Sequence, residues 1–451
     1  MAPGNLVAFG GENKQSEVPV DVTELSPFAG LHFTYNGNTE HIDSSSIICA
    51  DVRESQSTLF FLKDSQLFAI KCDPPADSDS LDAFVFRPGP EDVEGHIIIS
   101  VLSGKCLAES FYHQVIAPLL EQLNISSRFI VRKTTSATTI TELSKNVFLP
   151  AALRSKKQHI VLLSGDGGIV DIVNELLSSK GLPEGFKPPL VSLIPMGTGN
   201  ALAHSTKIFD GTNGLASWLR GEPKDLPLIR VEFSHAREGP FLLSDQGRKR
   251  NQLVQQGTNA SLFWGAVVFS WGFHAQIVAD SDTPEFRKHG VKRFAMAAQD
   301  ALFPSDGSGP HKYRGALTVE TTDDRGSISW QRLGNNEHSY VLGTLVSNLE
   351  ETFTISPNSE PFSGKIQLVH VNHKSDGNEI MRIMNLAYQG GKHVQDKAVV
   401  YKEVDGFAIS FEENEDKWRR VCVDGKIILV EKAGSVQVHR EQLVVLQITS
   451  L

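Results

Sequence analysis

Two short apolar runs near the middle of the chain each open onto a glycine-rich loop. Ile160-Val161-Leu162-Leu163 leads into Ser164-Gly165-Asp166-Gly167-Gly168, and Leu190 to Ile194 leads into Pro195-Met196-Gly197-Thr198-Gly199-Asn200. Between them Ile169, Ile172, Val173, Leu176 and Leu177 recur at the spacings that line one helix face. Upstream, His96 to Val101 reads as a buried strand leading into Leu102-Ser103-Gly104-Lys105. Phe111, Val115, Leu119, Leu120 and Leu123 mark a helix, kinked or broken near Pro118. Phe129-Ile130-Val131 adds a strand before Lys133-Thr134-Thr135. Repeated strand–loop–helix units predict a parallel sheet with helices on its faces. In such sheets ligands bind outside the carboxyl ends of the strands, where both glycine loops fall.

The pattern changes on either side. Residues 1–91 read as an irregular leader followed by β structure, with a hairpin at Leu59-Phe60-Phe61-Leu62 and Leu67-Phe68-Ala69-Ile70 and a loop or linker from Asp73 to Ser80. Beyond residue 208 short strand candidates dominate: Leu228 to Phe233, Leu262 to Phe273, Ala316 to Glu320, Tyr340 to Val346, Ile366 to Val371, and Val421 to Val430 about an Asp424-Gly425 turn. Leu262 to Phe273 reads as one central strand buried on both faces, with an acyl-cavity lining as the other use of its aromatic residues. Gly247-Arg248-Lys249-Arg250 and 304–310 read as surface loops. The expected class is α/β + β. A small N-terminal accessory β region (1–91) precedes a Rossmann-like three-layer α/β nucleotide domain (92–207) and a β-sandwich-like domain (208–451), with the active site in the cleft between the last two.

Composition narrows the function. A chain of 451 residues suggests two or three domains. A net charge of −10 argues against nucleic acid as a partner and against purely electrostatic adhesion to anionic lipid. Cys49, Cys72, Cys106 and Cys422 are scattered in no metal-ligand spacing, as free thiols in a reducing compartment would be. The first residues lack a signal-peptide pattern, and the most apolar run is shorter than the ~20 residues that span a bilayer. These features predict a cytoplasmic protein that makes transient, peripheral membrane contact and does not cross the bilayer.

The loops carry the candidate chemistry. Glycines at 165, 167 and 197 let backbone N–H groups approach phosphate oxygens at the start of a helix. Asp166 supplies a carboxylate suited to organising Mg²⁺, orienting a hydroxyl or accepting its proton. A lone loop of this kind is equally a strand-ending turn, but two in succession shift the balance toward phosphate. Asn200 is placed to N-cap the helix that begins at Ala201. Neither loop is a Rossmann or a Walker A fingerprint.

Taken together, Ser164-Gly165-Asp166-Gly167 with Asp171 and Asn174, then Pro195 to Ala203, resembles the diacylglycerol kinase catalytic-domain family in its sphingosine (long-chain base) and ceramide kinase branch. Further matches are Trp271-Gly272-Phe273, Phe286 to Gly290 with Arg293-Phe294, Tyr313-Arg314-Gly315 and Val423-Asp424-Gly425, in consistent order over roughly 96–445. The resemblance implies phosphorylation of a lipid hydroxyl from ATP with Mg²⁺. It implies Asp166 as catalytic and metal-binding carboxylate, and a nucleotide site drawn from Ser103, Gly104, Thr135, Gly165, Gly167, Gly197, Thr198, Asn200, Arg287, Arg293, Asp424 and Gly425. Two Arg six apart also suit phosphoryl-charge neutralisation on their own account.

The chain departs from the family pattern at several positions. Ser100 and Val101 replace an Asn-Pro, Thr139-Ile140 replaces a His-Ala pair, and Lys426 stands where Glu is common. Val278 occupies the ungapped position of the Asp that holds a sphingoid amine. A shifted gap brings Asp280 or Asp282 there, and either also suits a loop Asx turn before Pro284. A carboxylate favours a cationic long-chain base, whereas Val278 favours a neutral ceramide or diacylglycerol. A catalytically weak lipid-binding relative and an NAD kinase are the readings from other classes.

Overall fold

A computed structural model describes residues 2–9, 17–28, 30–54, 56–73, 79–178, 181–234, 239–253, 261–322, 325–374 and 376–451. It is a mixed α/β protein built on three large sheets.

The strand Gln158–Ser164 lies inside a six-stranded sheet, parallel to Leu190–Pro195 on one side and to Glu94–Ile99 on the other. Alternate side chains enter different cores. Ile160 and Leu162 join the helix Asp166–Leu176 and the β-rich half, whereas Val161 and Leu163 pack with 108–122 and with Gly211–Arg220. Burial on both faces is why this strand reads as an unbroken apolar run. The sheet is completed from beyond residue 208: Gln447–Ser450 pairs parallel to Leu190–Pro195, and Glu222–Asp225 pairs antiparallel to Gln447–Ser450.

The helix expected to kink or break near Pro118 is irregular there but continuous. Ala108–Phe111 passes through a π-turn at Tyr112–Ile116 into Ala117–Gln122. Proline brings no N–H, and a turn with wider spacing absorbs the missing bond without ending the helix. The same device recurs at Ser144–Phe148, just before Pro150.

The described residues of 2–72 hold a seven-stranded antiparallel sheet, and a strand, Ala2–Phe9, stands where an irregular leader was expected. The hairpin read from the pattern is present as Ser57–Lys63 and Gln66–Cys72. Of the 73–80 loop, residues 74–78 lie outside the described residues. This module does not hang free. Val7, Phe9, Ile48, Phe60 and Leu67 share a core with Val115, Leu119 and Trp218 of the α/β half. Arg220 reaches across to the carbonyls of Ile47 and Ala83 and covers the Phe84 ring.

The apolar run Leu262 to Phe273 is not one strand. It divides into Ser261–Gly265 and Val268–Gly272, with a corner at Ala266-Val267, and a helix, Phe273–Asp280, begins at once. Ser261–Gly265 is the terminal strand of the large antiparallel sheet, while Val268–Gly272 lies in its middle. A two-residue connection between an end strand and an inner strand forces the sheet to fold back on itself.

Edge strand Ser261–Gly265 shares an apolar core with the α/β half, and one polar side chain fixes its backbone there. Asn174 donates to the Trp264 carbonyl at 2.8 Å and accepts from the Trp264 N–H at 3.0 Å, standing where a neighbouring strand would pair. Asn174→Leu leaves both backbone groups unpaired, and about 1–3 kcal/mol of stability is expected to go, read as a lower urea midpoint at unchanged m-value.

Candidate functional site

The three loops at the carboxyl edge of the parallel sheet touch one another. A Cβ on Gly104 would lie 2.4 Å from the Met196 carbonyl oxygen, and one on Gly197 would lie 2.4 Å from the Gly165 Cα. Gly104 also has φ +52°, so both its space and its backbone favour glycine. Ser103, Gly104, Gly165, Gly167, Gly197, Thr198 and Asn200 are thereby gathered at one rim, and all stay at least partly exposed. Thr134 ties in the first loop by accepting from the Val101 N–H at 3.2 Å. Thr135 stands beside it, exposed, in a turn closed by Thr139, whose Oγ1 accepts from the N–H groups of Thr135 and Ser136 at 3.1 and 3.0 Å.

Asp166 sits at the junction. Its Oδ2 accepts from the Ala201 N–H at 2.8 Å and its Oδ1 from the Leu202 N–H at 3.0 Å. The cap of the helix Ala201–Ser205 therefore comes from the preceding glycine loop, not from Asn200 as the sequence suggested. Asn200 is left-handed (φ 51°) and turns its amide back on Gly197, accepting from the N–H at 2.8 Å and donating to the carbonyl at 3.2 Å. Burial pushes the Asp166 carboxyl above the ordinary aspartate range, opposed by the two N–H bonds and by nearby His204.

Asp424 is buried and turned inward. Its carboxylate accepts from the N–H groups of Ala266 (2.5 Å), Val267 (3.1 Å) and Val268 (2.7 Å), and so builds the corner that divides the apolar run. Burial pushes its carboxyl up to about 7, the three N–H groups oppose this, and the Asp166 charge adds to it. Gly425 is exposed at φ +82°. The next residue, Lys426, reaches Asp171 on the 166–176 helix at 2.6 Å. The position where the family commonly has an acid thus makes an ion pair with the 166–176 helix in this chain.

The predicted substrate carboxylates are both engaged. Asp280 accepts from Arg420 at 2.8 Å with Lys417 at 3.7 Å. Asp282 accepts from Arg287 at 2.6 Å and has Arg293 at 3.9 Å, so the two predicted phosphate-binding arginines share one carboxylate. Arg287 is largely exposed, whereas Arg293 is 18% exposed with a buried Nε that has no hydrogen-bond partner among the described residues. Val278 packs with the apolar group of Ala275, Cys422 and Ile427.

Sequence reasoning missed a second wall. The hairpin Asn348–Glu350 and Phe353–Thr354 lies on the 201–205 helix. Ser205 Oγ accepts from the Asn348 N–H at 3.1 Å, and a Cβ on Gly199 would lie 3.1 Å from the Leu349 carbonyl oxygen. His204, between the charges of Asp166 and Glu351, keeps a buried Nδ1 without a hydrogen-bond partner among the described residues. Burial lowers its pKa. No local sequence pattern marks this hairpin, because its position depends on contacts some 145 residues apart in the chain.

Residues 94–231 match the model of the diacylglycerol kinase catalytic domain. This stretch belongs to that family. Human sphingosine kinase 1 is 24% identical over 371 residues, covering 76% of this chain and 88% of the relative. Sphingosine kinase B of Dictyostelium discoideum is 32% identical over 146 residues, but those cover only 18% of its length. The fold is also that of a solved Bacillus anthracis protein assigned as a diacylglycerol kinase, with TM-score 0.50 and 14% identity over 79% of this chain and 97% of that one. The diacylglycerol kinase catalytic domain takes in both glycine loops and Asp166, whereas the Trp271 strand, the arginines and Asp424 lie beyond it.

Lys426→Glu sets a second carboxyl against Asp171, already held high by burial. A loss of about 1–3 kcal/mol is expected. Because a carboxyl with a raised folded-state pKa destabilises once it ionises, the deficit grows from pH 5 to pH 8. Lys426→Met costs less, and urea unfolding at the two pH values separates the cases.

Proposed function

We propose that the protein is an ATP-dependent lipid kinase that phosphorylates a hydroxyl of a sphingoid base or closely related lipid. The observation that carries the reading is the meeting of Gly104, Gly165 and Gly197 at Asp166, on the carboxyl edge of a parallel sheet. Three mutually touching loops without side-chain bulk leave backbone N–H groups free to follow a triphosphate. The names of the relatives point the same way. The division of labour follows, with 92–207 holding nucleotide, the β-rich remainder holding lipid and 1–91 an accessory module. The substrate lies between the first two, and access to it requires passing contact with a membrane surface.

Asp166 is the proton acceptor. The lipid hydroxyl oxygen bonds to the γ-phosphorus of ATP, the bond to the β,γ-bridging oxygen breaks with its electrons leaving on ADP, and the hydroxyl proton goes to Asp166. Two N–H bonds fix the carboxylate in place, and burial raises its proton affinity toward what a base needs. Arg287 and Arg293 exchange Asp282 for phosphate oxygens.

Magnesium fits this donor set in a limited way. Among the described residues no group of three or more acidic, His or Cys side chains stands ready to hold a metal ion. One protein carboxylate with phosphate oxygens is a usual Mg²⁺ environment, and Asp166 retains lone pairs beyond its two N–H bonds. Bound with ATP, the ion neutralises phosphate charge.

Purified protein is expected to transfer phosphate from ATP to at least one member of a lipid panel of sphingoid bases, ceramides and diacylglycerols. Asp166→Asn is expected to lower kcat about 10²–10⁴-fold. Arg293→Met is expected to raise the KM for ATP with a smaller effect on the KM for lipid. Wild-type turnover on no lipid, or unchanged turnover in Asp166→Asn, refutes the assignment.

A further inference from the structure

The lipid kinase reading leaves open what recognises the headgroup, since both carboxylates that the motif offered are matched by cations. We propose that Glu350, with Phe353 and Tyr388, receives the ammonium group of a cationic amino-alcohol lipid. This deepens the function proposed above and rests on it.

Three observations carry the inference. Glu350 and Phe353 are cross-strand partners in the 348–354 hairpin, so their side chains stand on one face of it. The Phe353 ring packs against Tyr388 at 4.8 Å between centroids, and the Glu350 carboxylate acts electrostatically on Tyr388. A carboxylate beside two aromatic rings is the environment that attracts an organic ammonium.

The carboxylate is also uncommitted. Glu350 is half-buried, and among the described residues it makes no hydrogen bond or ion pair through its side chain. Arg293 is close enough to act on it, but stands within ion-pairing distance of Asp282. Burial pushes the Glu350 carboxyl up to about 7, so an arriving cation restores to the ionised form what desolvation removes.

The third observation is location. The hairpin rests on Ser205, on the same short helix whose first N–H groups hold Asp166, and against Gly199 in the loop before it. In an amino alcohol the ammonium and the reacting hydroxyl lie on neighbouring carbons. A recognition group on the wall against this helix holds the amine while the hydroxyl faces Asp166.

The test compares a long-chain amino diol, its N-acetylated neutral counterpart and a diacylglycerol, each in mixed micelles, with the full chain. Glu350→Gln is expected to raise the KM for the amino diol about tenfold or more while kcat and the neutral lipids are little affected. Tyr388→Leu gives a smaller rise of the same selectivity, and Glu350→Asp recovers part of the loss. An equal change for charged and neutral lipids, or no change, overturns the proposal. So does wild-type activity confined to neutral lipids, which leaves the lipid kinase reading standing. Should the wild type phosphorylate no lipid, that reading falls, and equilibrium binding of the amino diol decides this one. Weaker binding by about tenfold in Glu350→Gln, with an unchanged melting temperature, supports it, and equal binding overturns it.

Discussion

Two carboxylates, half-buried Asp166 in the α/β half and buried Asp424 in the β-rich half, are each spread over backbone N–H groups of a remote segment and fix the local shape of their own half. Asp166 fastens the start of the 201–205 helix to the first glycine loop, and Asp424 fastens the 266–268 corner to the C-terminal hairpin. Each contact satisfies donors that would otherwise be stranded away from water, at a helix start in one case and at a sheet corner in the other. A carboxylate accepting two or three N–H bonds has little rotational freedom left. The candidate base is thus positioned by the same bonds that shape the loop around it, and folding and site geometry are one requirement.

The interface between the two halves is made of ordinary packing. Ile98, Ile160 and Leu162 of the parallel sheet and Phe269 and Trp271 of the large antiparallel sheet belong to one apolar core. Polar links decorate its edge: Asn174 on the backbone of Trp264, and Lys426 on Asp171. A shared core gives the two halves a fixed relation at small cost, while the few directional bonds select the register. The N-terminal sheet uses the same logic on the opposite face, where its apolar residues complete the packing of the 108–122 and 211–220 helices.

What was legible in the sequence follows from range of interaction. The strands at 158–164 and 190–195 and the helix at 166–176 announce themselves because periodicity and glycine loops are local signals. The 262–273 run was misread as one strand because nothing within it marks the corner. The group that stabilises Ala266-Val267 is Asp424, more than 150 residues away. Asn200 was read as a cap because its residue type and place invite it. Asp166 takes the N–H groups instead, and Asn200 closes its own turn. The pairing of Asp280 with Arg420, and the hairpin carrying Glu350, depend on tertiary contacts that no spacing rule contains.

The positions that depart from the family pattern are each built into this fold. Thr139 closes the turn after Thr135 by taking two backbone N–H groups, and Val101 gives its N–H to Thr134. Lys426 neutralises Asp171, removing one negative charge from the helix that begins at Asp166. Val278 packs among apolar residues where an unpaired carboxylate would be costly. None of these changes disturbs the junction of Gly104, Gly165 and Gly197. Their effect is on charge: Asp171 on the 166–176 helix is paired with a lysine, and the 273–280 helix carries an apolar side chain at Val278. Arg293, which stands 3.9 Å from Asp282, also acts electrostatically on Glu350, so the carboxylate at the motif position and the one on the hairpin lie about the same cation.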